Sequence, residues 1–210
     1  MKYNNFWPAM IIIITVMVIL VGGQPNSAIG GEEEFEGPPW AEAILTRLLP
    51  KRVFVTSEVY QGDLGGLKGA DAKCQALADQ AGLNGTFKAY LTTASASPAT
   101  RFVHSQAHYM LIFRTSVVAL NFSHLVDKSL ELNHAITEDE NGNNPGGGTR
   151  KVWTGTEWIG GLEPDRCQDW IIVHSSESGD MGDYAWTNGK WTNSEVIACD
   201  EYAHLYCFEQ

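Results

Sequence analysis

The chain has 210 residues, with 14 Lys and Arg against 25 Asp and Glu, a net charge of −11. That length is one domain, or one domain with a tail, and an apolar content of 44% excludes disorder of the whole chain. No basic stripe is present to neutralise phosphates, so nucleic acid is excluded as a partner, and the surface acidity repels anionic lipids and polyanions.

Residues 1–28 read as a signal peptide. Lys2 is the only charge before Glu32, and Ala9 to Val21 is a run of 13 apolar or near-apolar residues. A signal-peptide core of about 7–15 residues fits this run better than a membrane span of about 20. Asn26-Ser27-Ala28 offers small residues for cleavage. The rival reading is an uncleaved membrane tether through residues 10–22, with Phe6 and Trp7 at the interface. Either way the expected location is outside the cytosol: secreted, periplasmic, or held in the cell envelope or at the cell surface. Residues 29–51 read as an acidic linker. Glu32-Glu33-Glu34-Phe35-Glu36 is a solvated run, and Gly37-Pro38-Pro39 breaks structure. Trp40 to Leu49 can form two helical turns, with Ile44, Leu45, Leu48 and Leu49 on one side. That side is expected to dock on the domain, the alternative being a membrane surface.

Residues 52–210 read as one loop-rich α+β domain. Val53 to Thr56 is extended, and Leu64 to Gly82 reads as a helix. Ala70, Cys74, Leu77, Ala78 and Ala81 fall on one face of it. Asp71 is placed in its first turn, where negative charge suits the dipole. Gly82 serves as the residue after the C-cap, with Leu83 covering it. Further strands are expected at Phe87–Leu91, Tyr109–Phe113, Val117–Leu120, Val152–Thr154 and Leu205–Phe208. Glu138 to Gly148 cannot be regular structure, and Gly179 to Tyr184 reads as a loop. Loops of this length in a compact domain are usually functional or disordered.

Cys74, Cys167, Cys199 and Cys207 all follow the export segment, and an even count in an exported chain suggests two disulfides. Three pairings are open. A zinc site is the weaker alternative, because no CxxC occurs.

The spacing of Cys199 and Cys207, the closing Leu205-Tyr206-Cys207-Phe208-Glu209 and the segment Trp158-Ile159-Gly160-Gly161-Leu162 resemble the C-type lectin fold, although the loop after that segment is much shorter here. A narrower resemblance covers almost all of residues 52–210. Val53-Phe54-Val55-Thr56-Ser57, Gly62 to Cys74, Lys88-Ala89-Tyr90-Leu91, Val152-Trp153-Thr154-Gly155-Thr156 and Cys167-Gln168-Asp169-Trp170 are similar, in order, to the bacterial endostatin-like domain of unknown function. The resemblance implies short helices around a twisted, mainly antiparallel sheet with long loops. It also implies the pairings Cys74–Cys207 and Cys167–Cys199. Some surface members of that family bind extracellular-matrix proteins and complement regulators, which points to an extracellular protein or glycan partner.

Four groups of residues could carry a function. Glu163-Pro164-Asp165 resembles the Glu-Pro-Asn triplet with which C-type lectins hold calcium and sugar, and Trp191-Thr192-Asn193 resembles their Trp-Asn-Asp. Glu163, Asp165 and Asn193 are therefore the candidate calcium ligands, since calcium takes six to eight oxygens. The competing reading makes Pro164 a turn former and Trp191 a core residue. Glu138 to Asn144 carries oxygen ligands and a turn glycine, without EF-hand spacing, so a solvated loop competes with a calcium loop. Trp153, Trp158, Trp170, Trp186 and Trp191 crowd 39 residues. At least three are expected in the core, with Trp186 and the neighbouring Tyr184 the candidates for ligand contact. Finally, His104 and His108 have helical spacing, but no zincin, nucleophile-elbow or P-loop motif exists and no nucleophile–base pair can be named, so an enzyme is not expected. Asn84-Gly85-Thr86 and Asn121-Phe122-Ser123 are glycosylation sequons, relevant only in a eukaryote.

Overall fold

The computed structural model describes residues 47–127, 131–145, 148–155 and 165–210. The chain divides into Met1–Ile44 and Leu45–Gln210, and all described residues belong to the second unit. Its fold is α+β. Eight strands form one mixed sheet: β1 (Lys51–Val55), β2 (Phe87–Ala89), β3 (Tyr109–Met110), β4 (Val117–Ala119), β5 (Lys151–Trp153), β6 (Ser178–Asp183), β7 (Glu195–Ala198) and β8 (His204–Glu209). Helices among the described residues include α1 (Gly66–Gln80) and two short pieces, α2 (Pro98–Arg101) and α3 (Phe122–Val126). The sheet runs β4-β3-β1-β8-β5-β6-β7, and β2 also pairs with β8. The β1–β3 and β5–β8 pairs are parallel and the others antiparallel.

Both faces of the central strands are buried, and residue alternation sorts their side chains between two cores. Phe54, Phe87, Ala89, Trp153, Leu205 and Cys207 point to the face that also holds Cys74, Leu77 and Trp170. Val53, Val55, Val152, Tyr206 and Phe208 point to the other, with Tyr90, Phe102, Tyr109 and Trp191. This is why Leu205 to Phe208 is apolar without a break: a strand buried on both faces has no solvent side to alternate with.

Helix α1 is shorter than its sequence pattern by two residues at each end, but its stripe is as read: Ala70, Cys74, Leu77 and Ala78 are buried. Gly82 takes φ +69°, its N–H donates to Asp79 O at 3.0 Å, and Leu83 N–H donates to Ala78 O at 2.8 Å. That is the paired closure of a glycine-terminated helix. Asp71 is not in the first turn, which holds no acid. It instead receives Arg101 Nη2 on both carboxylate oxygens at 2.6 Å and Ala89 N–H at 3.0 Å, so its charge joins α1 to α2 and β2. At the end of the linker Leu48 and Leu49 stand exposed, and residues 40–46 of the segment expected to dock lie outside the described residues.

Cys74 bonds to Cys207, and Cys167 to Cys199, with Cα separations of 5.5 and 5.6 Å. Two intact disulfides belong to an oxidising compartment. Among the described residues no helix is long and apolar enough to cross a membrane.

The Cys74–Cys207 bond spans 133 residues and the Cys167–Cys199 bond 32, so chain entropy assigns them about 5 and about 4 kcal/mol. Denaturant unfolding of Cys74→Ser/Cys207→Ser should therefore lose more stability than Cys167→Ser/Cys199→Ser; the reverse order would show that the helix–sheet bolt is not the stronger constraint.

Burial pushes the Tyr109 phenol up to about 12 and raises Tyr90 and Tyr206 as well, and Tyr60 is raised by burial and its hydrogen bond to Glu58. In the unfolded chain these phenols ionise near pH 10. Above that pH the folded state holds more protons, so stability falls as pH rises. Lys51, lowered by burial, acts the opposite way, but it is one group against four. The urea midpoint should drop from pH 9 to pH 11; an unchanged midpoint would rule the phenols out.

Candidate functional site

The surface around Trp186 is built on a turn that the core holds from beneath. Strand β6 ends at Asp183, whose Oδ1 accepts Ala185 N–H at 2.9 Å and whose carbonyl accepts Trp186 N–H at 3.1 Å. Thr187 O then accepts Leu132 N–H at 2.8 Å, and Thr187 Oγ1 donates to Glu131 Oε2 at 3.3 Å. A single 3₁₀ turn, Gly189–Trp191, follows; Asn188 Oδ1 caps it by accepting Lys190 N–H at 3.1 Å. Trp191 closes the turn from inside, its ring 4.9 Å from Tyr90 and 5.5 Å from Tyr206, whose hydroxyl donates to Trp191 O at 3.0 Å.

Above this anchor Trp186 is 41% exposed, and the Lys190 ammonium lies 4.8 Å from its ring centre. A cation against an indole face is worth about 0.5–1 kcal/mol at an exposed site. It holds an aromatic plate and a positive charge side by side on the surface. The sequence pointed to Trp186 but not to Lys190; the four-residue spacing across Asn188-Gly189 was the only signal available.

The other tryptophans divide as expected. Trp153, Trp170 and Trp191 are buried, and Trp158 lies outside the described residues. Tyr184 is not available for ligand contact. It is 4% exposed, with its ring 5.7 Å from that of the buried His204.

The calcium set is only partly described, because Glu163 lies outside the described residues. Asp165 Oδ1 accepts the Ser178 hydroxyl at 2.5 Å and its carbonyl accepts Asp180 N–H at 2.7 Å, on the β5 side of β6. Asn193 sits on the other side, where Ser194 N–H donates to Met181 O as β7 begins. Two strands flanking a third are about 10 Å apart. The sheet therefore places the Asp165 and Asn193 backbones on opposite sides of β6. In the acidic loop the carboxylates of Asp139 and Glu140 are engaged by the fold, whereas Glu138 Oε2 is buried without a hydrogen-bond partner among the described residues. Asp139 Oδ1 accepts Asn141 and Asn143 N–H groups at 2.8 and 2.9 Å, and Glu140 accepts Ser57 N–H at 3.0 Å and the Ser57 hydroxyl. Among the described residues no group of three His, Cys, Asp or Glu is gathered as a metal site. His104 and His108 lie in no helix: His104 stacks on Phe122 at 4.0 Å, and His108 Nδ1 is 2.9 Å from Leu120 O.

Gly179 to Asp183, read as loop from its glycines and acids, is strand β6. The glycines are there for space. A Cβ on Gly182 would lie 1.8 Å from Trp191 O, and one on Gly179 would lie 3.0 Å from both Cys167 Sγ and the Trp153 ring. Close backbone approach is a recognised reason for glycine inside a strand, and here it lets Trp191 lie against the sheet.

The next segment is equally constrained. Cys167, Gln168, Asp169 and Trp170 all have φ between 48° and 69°. A left-handed turn of non-glycine residues costs about 1–2 kcal/mol per residue. It is held by the Cys167–Cys199 bond, by Trp170 Nε1 donating to Thr92 O at 2.8 Å, by Leu64 N–H donating to Trp170 O at 3.0 Å, and by Ala94 N–H donating to Asp169 Oδ1 at 2.9 Å.

The Gly182 contact yields a prediction. Gly182→Ala should lose about 3 kcal/mol, the upper part of the overpacking range, with Trp191 fluorescence shifting as the anchor is displaced. Gly148→Ala, where an added Cβ meets nothing within 4 Å, should stay within about 0.5 kcal/mol. Equal losses in the two variants would mean that the close approach of Trp191 does not matter.

The chain matches no protein-family model, and no curated protein matches its sequence.

Proposed function

We propose that this chain is an exported binding domain of the endostatin-like, C-type-lectin-type class, which recognises a protein or glycan ligand outside the cytosol and performs no catalysis. The observation that carries the reading is the Trp186–Lys190 pair. It is a large aromatic surface left in solvent on a turn that Trp191 fixes from the core. Exposed tryptophans of this kind are the residues that dominate binding energy at interfaces. A turn that is already ordered spends little free energy on becoming ordered when the ligand arrives. The two disulfides support a place in an oxidising compartment, and the order of motifs along residues 52–210 supports the family reading.

Recognition of this kind needs no metal, which separates it from calcium-dependent sugar binding through Glu163, Asp165 and Asn193. It also separates it from a purely structural role for a domain tethered through residues 10–22. The test is saturable binding of the oxidised chain to arrays of extracellular proteins and glycans, in calcium and in excess chelator. Binding that survives chelator and weakens about thirtyfold in Trp186→Ala, a hot-spot loss of about 2 kcal/mol, with unfolding unchanged, is the expected result. Glycan binding abolished by chelator would replace this reading with the calcium lectin. Absence of saturable binding to any array member would leave the structural role.

A further inference from the structure

The sequence contains three Asn-Gly pairs: Asn84-Gly85, Asn141-Gly142 and Asn188-Gly189. This pairing is the one most open to internal attack by the backbone, because glycine puts no side chain in the way of the following amide nitrogen. By sequence the three are equivalent. The fold makes them different.

At Asn141 the nucleophile is occupied. Gly142 N–H donates to Asp139 O at 2.9 Å, and Asn141 Nδ2 is directed at Glu140 Oε1 at 3.4 Å. At Asn188 the side chain is occupied. Its Oδ1 accepts Lys190 N–H at 3.1 Å as the cap of the 3₁₀ turn, and Gly189 is buried. Asn84 and Gly85 are both exposed, in the connection between α1 and β2. The nearby bonds go elsewhere: Gly85 O accepts Gln75 Nε2 at 3.1 Å, and Thr86 O accepts Gln210 N–H at 2.8 Å.

A charge pair flanks this peptide. Arg52 Nη2 donates to Asn84 O, the carbonyl of the peptide unit whose nitrogen belongs to Gly85. A guanidinium on that oxygen draws electron density from the amide and makes the Gly85 N–H a stronger acid. Arg52 is itself held by Glu209, at 2.8 Å from Nε to Oε2 and 3.0 Å from Nη2 to Oε1, and a Cβ on Gly85 would lie 2.9 Å from Glu209 Oε1. The carboxylate and the guanidinium thus fix each other against the Asn84-Gly85 peptide.

We propose that Asn84-Gly85 is a self-modifying site, with Arg52 as its positioning residue. Gly85 N gives its proton to solvent base and attacks Asn84 Cγ. The new N–Cγ bond closes a five-membered imide, and the Cγ–Nδ2 bond breaks as Nδ2 takes a proton back from the solvent acid, releasing ammonia. Water then adds to one imide carbonyl, its hydroxyl going to carbon and its proton to nitrogen. The product is aspartate or, where the other C–N bond opens, isoaspartate. Each outcome adds a carboxylate beside the Arg52–Glu209 pair. Isoaspartate also adds a main-chain carbon just before β2 joins β8.

The test incubates the oxidised, folded chain and the urea-unfolded chain in the same mildly alkaline buffer and maps the three sites by peptide mass and isoaspartate detection. In the folded chain Asn84 should convert about tenfold faster than Asn141 or Asn188, the factor set by about 1.4 kcal/mol of barrier, while in urea the three should be similar. Arg52→Gln should slow Asn84 in the folded chain and leave the unfolded rate unchanged, and Asn84→Gln should remove the signal at that site. A folded chain in which Asn141 or Asn188 converts as fast as Asn84 would overturn the site. A folded Asn84 rate indifferent to Arg52→Gln would overturn the role of the guanidinium.

Discussion

Strand β8 is the constraint on which the rest of the structure depends. It pairs with β1 along one edge and with β5 and β2 along the other, and its residues from His204 to Phe208 are buried. Through Cys207 it is bonded to the middle of α1. A strand with hydrogen bonds on both edges and side chains on both faces has no freedom of register, since a shift of one residue would exchange its two faces. Leu205 and Cys207 would then enter the core that holds Tyr90 and Trp191, and Tyr206 and Phe208 would meet α1. The disulfide forbids that exchange covalently. The chain must therefore bring together segments more than 130 residues apart before its central strand can be placed, which is slow on loop-closure grounds.

This arrangement explains which parts of the fold were legible in the sequence. Helix α1 was legible because it buries one face only, and Ala70, Cys74, Leu77 and Ala78 recur at helical spacing. Its glycine-closed end was legible because only a residue at ease with positive φ fits there. Strands β1, β5 and β8 were legible as short apolar runs. Strand β6 was not, because its residues answer to close contact and not to propensity. Gly182 yields space to the Trp191 carbonyl, and Gly179 to Cys167 and Trp153. Its two acids, Asp180 and Asp183, are buried too. A segment that reads Ser-Gly-Asp-Met-Gly-Asp has the composition of a loop and the position of an inner strand. Only the partners that crowd it reveal which it is.

The candidate site divides in the same way. Trp186 was found in the sequence through a neighbouring segment taken for a loop. It is exposed for another reason: β6 ends at Asp183 and the chain turns there. Tyr184, one residue beyond the strand, is turned inward against His204. Lys190 was not legible, since a lysine four residues from a tryptophan has meaning only once the intervening turn is known to fold them face to face. Of the candidate calcium ligands only Asp165 and Asn193 lie among the described residues. Asp165 and Asn193 do have the right residue types, but they flank β6 on opposite sides.

Acidity in this chain is therefore less a surface property than its net charge suggests. Asp71, Asp139, Glu140, Asp165 and Glu209 each accept hydrogen bonds from backbone amides or side chains elsewhere in the domain. A carboxylate that accepts several N–H groups does in a loop what a ladder of hydrogen bonds does in a sheet, and such bonds are stronger than neutral ones. A domain with long connections and few helices has many backbone N–H groups outside regular structure, and each one buried needs an acceptor. The acids meet that need. In the acidic run Glu138 to Asn144, Asp139 and Glu140 do this for the loop's own backbone and for Ser57, while Glu138 Oε2 is buried without a hydrogen-bond partner among the described residues.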